Sequence, residues 1–241
     1  MLAYSVSCLK SSSPKVVITF IDNTKIFYQL SHLLKNRLKT VLVQNGWRDQ
    51  FLRQYCPTGY EYVDYMCLYN DLIATYYSKY IGGQCYTIGS LPNNLIVGSG
   101  ISLPDSPVIF ISQFRDFPKG YIDLYDTRIP FSDFYLPERM LLPLLSQWCL
   151  RNSKKLIIVG VYSIDRIFSS SDTEYSFFDE LLDCDWDFYE KKDEGSSYKI
   201  LGAAGTVVTV DSNLGYEAFV RGKKTAFLTC RGQKMEVDDR G

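Results

Sequence analysis

Short apolar runs alternate along the chain with segments whose apolar residues recur every three or four positions. In the second half, Pro107 to Ser112 (PVIFIS), Lys155 to Gly160 (KLIIVG), Thr206 to Val210 (TVVTV) and Thr225 to Thr229 (TAFLT) read as strands, with Trp186 to Tyr189 a weaker one. Between them, Pro137 opens a helix carrying Met140, Leu141, Leu144, Leu145 and Trp148 at helical spacing, and Pro143 moves its expected start towards residue 142. Ser171 and Glu174 have capping-box spacing ahead of Tyr175, Phe178, Leu181 and Leu182. Ser196 to Leu201 and Asn213 to Arg221 read as further helices, and Gly222 sits where a helix commonly ends in a left-handed turn.

The first half repeats the alternation. Val16 to Ile21, Thr40 to Val43, Tyr65 to Tyr69 and Gln84 to Ile88 are strand candidates. Ile26, Phe27, Leu30, Leu33 and Leu34 share one helical face, and Asn70 is placed to cap a helix that buries Ile73, Tyr76, Tyr77 and Tyr80. Gly89 to Asp105 reads as a linker because glycine and proline punctuate it. Unbroken apolar strands belong to sheets covered on both faces, so the expected fold is α/β: two Rossmann-like lobes with parallel sheets, residues 1–100 and 101–241.

Composition narrows the function classes. Of 241 residues, 26 are Lys or Arg and 27 Asp or Glu, a formal charge of −1, so no bulk positive charge is available to hold nucleic acid. With 46% hydrophobic and 22% charged residues the chain can build a core. No apolar run approaches the ~18 residues that span a bilayer, and MLAYSVSCLK lacks the pattern of a secretory leader, so the expected location is cytoplasmic. Seven cysteines without a C-x-x-C pair and a single histidine, His32, give no thiolate metal pattern, and the cysteines read as packing residues. Phosphate-loop, G-x-G-x-x-G, H-E-x-x-H and G-x-S-x-G motifs are missing. Asp183, Asp185 and Asp187 precede a strand and read as a solvated turn, and His32 as a packing or surface residue.

The strongest chemical signal is Val207 to Thr229. A strand ends at Val210, and Asp211 and Ser212 then occupy the cap region of a helix whose free amides point towards the carboxyl edge of the sheet, where open parallel sheets bind ligands. Glu217 follows one turn later, and a carboxylate there can accept hydrogen bonds from neighbouring ribose hydroxyls. The plainer alternative is that Asp211 or Ser212 only caps the helix and Glu217 is solvated.

The segment DSNLGYEAFVRGKKTAF resembles the D/S-S-x-x-G-x-E-A-x-x-R-G-K segment of glycosyltransferase-B type proteins, particularly those of surface-carbohydrate or O-antigen biosynthesis. VVITFIDN, VQNGWR, YTIGS, FISQFRD and KLIIVG extend the resemblance over residues 15 to 232. It implies two facing lobes with a nucleotide-diphosphate sugar against the second, Ser212 and the amides of Asn213 and Leu214 on the diphosphate, and Glu217 on the ribose. Arg115 and Arg166 leave the same predicted edge, where either could neutralise phosphate charge or simply face solvent. In the first lobe Asp22 is the candidate base for the acceptor hydroxyl, with Asn23, Gln44 and Asn45 on the acceptor side, although Asp22 and Asn23 equally suit a turn or a helix cap. The family pattern extends further at both ends, so the first lobe is expected to be abbreviated. The implied activity is metal-independent and cofactor-free transfer of a sugar to a glycan or lipid-linked acceptor, with peripheral contact at the inner face of a membrane. A UDP-sugar 2-epimerase-like isomerase and a non-catalytic nucleotide-sugar-binding protein are the alternatives.

Overall fold

The structure is a computed structural model that describes residues 2–22, 24–46, 61–96, 106–116, 120–122, 128–161, 171–193 and 195–228. The chain divides into two compact units, with the break between Leu95 and Ile96. Both are α/β with parallel sheets. No helix among the described residues is long and apolar enough to cross a membrane.

The first unit contains helix α1 (Leu2–Ser12), strand β1 (Val16–Thr19), α2 (Lys25–Leu34), β2 (Lys39–Val43), β3 (Glu61–Leu68), α3 (Asp71–Tyr77), β4 (Ile81–Thr87) and α4 (Leu91–Leu95). Its sheet runs β1-β2-β3-β4, so each crossover moves to the next neighbour in the same direction. Phe27 and Tyr28 of α2 and Ile73 and Tyr77 of α3 close a core over Leu42, Val63, Met66 and Leu68. Leu2, Val6 and Leu9 of α1 pack on Leu30, Leu34 and Leu38. Neither α1 nor α4 is expected from the sequence, and α4 occupies part of the stretch read as a linker.

The buried face of α2 departs from the expected one. Leu33 is exposed, whereas Tyr28 and Ser31 are buried because their polar tips are satisfied: the Tyr28 hydroxyl donates to the Asp22 carbonyl, and the Ser31 and Thr40 hydroxyls share a hydrogen bond. Asn70 caps α3 as its position suggests, its Oδ1 accepting from the Ile73 amide at 2.9 Å. Strand β3 begins four residues before the expected Tyr65. Its register against β4 shifts between Tyr62 and Tyr65, a bulge that turns both Val63 and Asp64 inward. Gly83 makes the bulge possible: its φ is +135°, and a Cβ there would lie 1.7 Å from the Val63 carbonyl oxygen.

The second unit holds β5 (Val108–Ile111), the short antiparallel pair β6 (Tyr121–Ile122) and β7 (Arg128–Ile129), α5 (Phe131–Phe134), α6 (Leu136–Arg151), β8 (Leu156–Val159), α7 (Ser171–Asp179), β9 (Trp186–Tyr189), α8 (Ser196–Gly202), β10 (Thr206–Thr209), α9 (Asn213–Val220) and β11 (Lys224–Phe227). Its all-parallel sheet is ordered β11-β10-β5-β8-β9. Val108, Phe110 and Ile158 pack with Leu142 and Cys149 of α6 and Phe177 and Phe178 of α7 on one face. Ile109, Ile111, Ile157 and Val159 pack with Ile200 and Leu201 of α8 and Ala218 of α9 on the other.

One local expectation is corrected here. Pro143 does not delay α6: the helix starts at Leu136 with Pro137 in its first turn and continues through Pro143. Leu142, Ser146 and Cys149 form its inner side, while Met140, Leu144 and Trp148 remain exposed. Burial and the neighbouring Cys184 push the Cys149 thiol up to about 11, which keeps it protonated as a packing group. Of the capping box expected of Ser171 and Glu174, the Ser171 side chain lies outside the described residues, but Glu174 also has long-range partners. It is fully buried and reaches across the sheet edge to the Ser112 hydroxyl and the Val161 amide, the latter at 3.1 and 3.2 Å from its two oxygens.

Candidate functional site at the carboxyl edge of the second sheet

From β5 the chain steps outward to β8 and β9, then returns to the other side of β5 for β10 and β11. The direction of winding therefore reverses between β5 and β10. At such a point the loops leave the two strands on opposite sides and a crevice opens at their carboxyl ends. The segments leaving those ends are Ser112 to Arg115 after β5 and Val210 to Leu214 after β10.

These segments are tied together locally. The Asp211 amide donates to Gln113 Oε1 at 3.1 Å. Thr209 Oγ1 donates to the Ile111 carbonyl at 3.5 Å and accepts from the Ser212 amide at 3.3 Å. Ser212 is extended, with φ −70° and ψ 136°, and caps α9 by accepting from the Leu214 amide at 3.3 Å. Helix α9 lies close against β10 because Gly215 has no side chain: a Cβ there would lie 2.5 Å from Thr209 Cγ2 and 3.1 Å from the Phe227 ring. The N-terminus of α9, with its positive dipole end, is thus fixed beside the reversal point.

The expected residues divide by unit. In the second, Ser212, Asn213 and Leu214 form the first turn of α9 and its cap, with Asn213 exposed. Glu217 is half-buried one turn on and accepts from the Tyr198 hydroxyl of α8, Oη to Oε2 2.7 Å. Arg115 follows β5 with an exposed side chain, and the Tyr135 hydroxyl fixes its backbone by accepting from its amide and donating to its carbonyl at 3.0 Å. Arg166 lies outside the described residues. Neither Gln113 nor Tyr198 is singled out by the sequence, since each acts through a partner distant along the chain.

In the first unit the polar residues at strand ends are engaged by their own unit. Asp22 is fully buried, its Oδ2 accepting from the Tyr77 hydroxyl at 3.2 Å. As it stands this carboxylate has no contact with solvent. Gln44 is buried, donating to the Gly46 carbonyl at 2.7 Å and accepting from the Tyr69 amide at 2.9 Å. Asn45 is exposed, and Asn23 lies outside the described residues. Of the acidic run expected to form a turn before a strand, Asp187 lies within β9 and pairs with Lys155 at 2.9 Å, and Asp185 lies 4.0 Å from the same ammonium.

A sequence profile of the family described as "putative O-antigen biosynthesis protein" matches residues 41–240. The chain belongs to that family. No curated protein matches the sequence. Among solved structures, S. aureus MnaA in a co-structure with UDP aligns with a TM-score of 0.57 at 12% identity, over 94% of this chain and 61% of its own. A Listeria monocytogenes protein described as a putative UDP-N-acetylglucosamine 2-epimerase gives 0.56 at 12%, over 93% and 59%. Sucrose-phosphate synthase from Thermosynechococcus elongatus gives 0.50 at 14%, over 93% and 59%. This O-antigen family member therefore has a glycosyltransferase-B-like fold and spans about three fifths of the length of these structures.

Proposed function

We propose that this family member binds a nucleotide-diphosphate sugar at the carboxyl edge of its second sheet and transfers the sugar to a glycan or lipid-linked acceptor in O-antigen assembly. The observation that carries the reading is the Ser212-capped start of α9 beside the β5/β10 reversal, with Glu217 one turn further along. Helix amides suit a diphosphate, and Ser212 with the Asn213 and Leu214 amides would meet its oxygens. Glu217 would accept from ribose hydroxyls, and Arg115 would offset phosphate charge. Rate enhancement would come from holding donor and acceptor together and from stabilising the charge that builds on the departing diphosphate. That chemistry requires no metal or cofactor. An acceptor carried on lipid would bring the protein to the inner face of the membrane.

A thermal-shift screen with UDP, GDP, CDP and CMP sugars tests the donor site, because a ligand that binds only the folded state raises the melting point. At least one nucleotide sugar is expected to do so. Replacing Glu217 by Ala removes a charged hydrogen-bond acceptor worth about 1.5–3 kcal/mol, which corresponds to roughly ten- to hundredfold weaker binding. Unchanged affinity by calorimetry removes Glu217 from the site.

The Listeria neighbour favours a second reading, isomerisation at the sugar of a UDP-sugar. Incubation with UDP-sugar and no acceptor separates the two: an epimer supports isomerisation, and turnover only with acceptor supports transfer. Binding without either product supports a non-catalytic sugar-nucleotide carrier.

A further inference from the structure

We infer that Tyr198 is a positioning residue for the Glu217 carboxylate and that Arg221 holds Tyr198 in place, a reading that rests on the nucleotide site proposed above. Tyr198 stands in the first turn of α8, and its hydroxyl donates to Glu217 Oε2 at 2.7 Å. The Arg221 guanidinium lies over the Tyr198 ring, 5.1 Å from its centroid, and its Nη2 donates to the Ile96 carbonyl at 2.8 Å. A connected series runs from Ile96 through Arg221 and Tyr198 to the carboxylate. It spans three separate stretches of the second unit. Arg221 also belongs to the E-A-x-x-R-G segment, where Glu217 has a proposed ligand and Arg221 has none.

Physical chemistry gives this series a purpose. A glutamate side chain has three rotatable bonds, and fixing them when ligand arrives opposes binding. Tyr198 fixes them beforehand. An ionised carboxylate offers about four lone-pair positions, of which the phenolic donor takes one. Guanidinium stacking suits Arg221 to its position: a planar cation covers the ring while its edge still reaches a carbonyl, which an ammonium does less well. Tyr198 and Arg221 therefore act on affinity for the ribose, not on the diphosphate.

The discriminating measurement is the ratio of affinities for UDP, GDP, CDP and CMP against their 2′-deoxy counterparts, read by calorimetry for wild type, Tyr198→Phe, Arg221→Lys, Glu217→Ala and the Tyr198→Phe/Glu217→Ala double variant. Wild type is expected to prefer the ribonucleotide by about tenfold, the size of one charged hydrogen bond. Tyr198→Phe should lower ribonucleotide affinity severalfold, leave the deoxynucleotide within twofold and shrink the ratio. Arg221→Lys should shrink it less, and it carries the test if the phenylalanine variant does not fold. Adding Tyr198→Phe to Glu217→Ala should change nothing further. Equal losses for both sugars, or an unchanged ratio in both variants, overturn the inference. So does a wild type that binds without preferring ribose, a result that leaves the nucleotide site standing. A wild type that binds none of these nucleotides overturns the proposed function and the inference with it.

Discussion

The two units share a strand-helix grammar and differ in the order in which strands are laid down. In the first, β1-β2-β3-β4 are added in one direction, and the described sheet contains no reversal. In the second, the return from β9 to β10 creates one beside β5. Polar side chains follow that difference. Asp22 and Gln44 of the first unit stand after strand ends, yet are buried and bonded to Tyr77, Gly46 and Tyr69. Another polar network of the first unit lies at the amino-terminal side of β2, where Asp64 meets Lys39 Nζ at 2.9 Å and the Thr40 amide and hydroxyl at 3.0 Å. In the second unit Gln113 and Ser212 follow the carboxyl ends of β5 and β10, Gln113 accepting from the Asp211 amide, and Glu217 stands further along α9, bonded to Tyr198. Strand order, more than the supply of polar residues, thus decides which unit can offer a crevice.

The largest effect that tests this contrast is on stability. Asp64→Ala strands the Thr40 amide and removes the partner of Lys39, whose exposed side chain can return to water. A buried acceptor lost from several donors costs about 3 kcal/mol. Urea unfolding should record that loss, while nucleotide affinity, measured where the variant remains folded, should stay within twofold. A parallel fall in affinity at constant stability would make the Asp64 network part of ligand binding and erase the distinction between the units.

How far the sequence discloses this arrangement depends on the distance over which partners act. Strands β5, β8 and β10 are legible because uninterrupted apolar residues need burial wherever they fall. The Ser212 cap is legible because its acceptor and donor are two positions apart. Gln113 is hidden, since the amide it accepts from is 98 residues away. One partner of Glu174 is hidden for the same reason: the Ser112 hydroxyl that donates to its carboxylate is 62 residues distant. The first half of β3 is hidden because Asp64 looks like a surface residue until Thr40 and Lys39 are brought against it. Helix α1 carries a thin apolar face, Leu2, Val6 and Leu9, diluted by serines.

A smaller effect, expected in both stability and binding, probes how closely α9 must approach the sheet. Gly to Ala inside a helix ordinarily stabilises by ~1 kcal/mol. At Gly215 the new methyl would lie 2.5 Å from Thr209 Cγ2, a buried β-branched residue in the strand with little room to turn. Crowding of this kind costs about 1–3 kcal/mol, so the sign reverses and Gly215→Ala should destabilise. Moving α9 outward also displaces the Ser212 cap, and nucleotide affinity should fall along with the melting temperature. Thr209→Ser removes the clashing methyl, so adding it to Gly215→Ala should recover part of both losses. Absence of recovery would mean that the Phe227 contact at 3.1 Å sets the spacing instead.

The smallest expected effect is the pH dependence of the first unit. Burial alone would push the Asp64 carboxyl up, but the Lys39 ammonium and the Thr40 amide and hydroxyl outweigh it and hold it below the usual carboxylate value. A carboxylate with a depressed folded-state value binds fewer protons folded than unfolded. Its contribution is therefore present above the unfolded value, near 3.9, and disappears as pH falls through the lower folded value. Lys39 is displaced upward by the hydrogen bond to Asp64, so its share persists at neutral pH and fades only in strong alkali, as pH rises above its ordinary range. Urea midpoints of wild type and Asp64→Asn should therefore differ by a constant amount from pH 8 to about pH 5 and converge below about pH 4. A difference that persists undiminished at pH 3 would assign the effect of Asp64 to packing and hydrogen-bond geometry rather than to its charge. The first unit would then differ from the second in strand order alone.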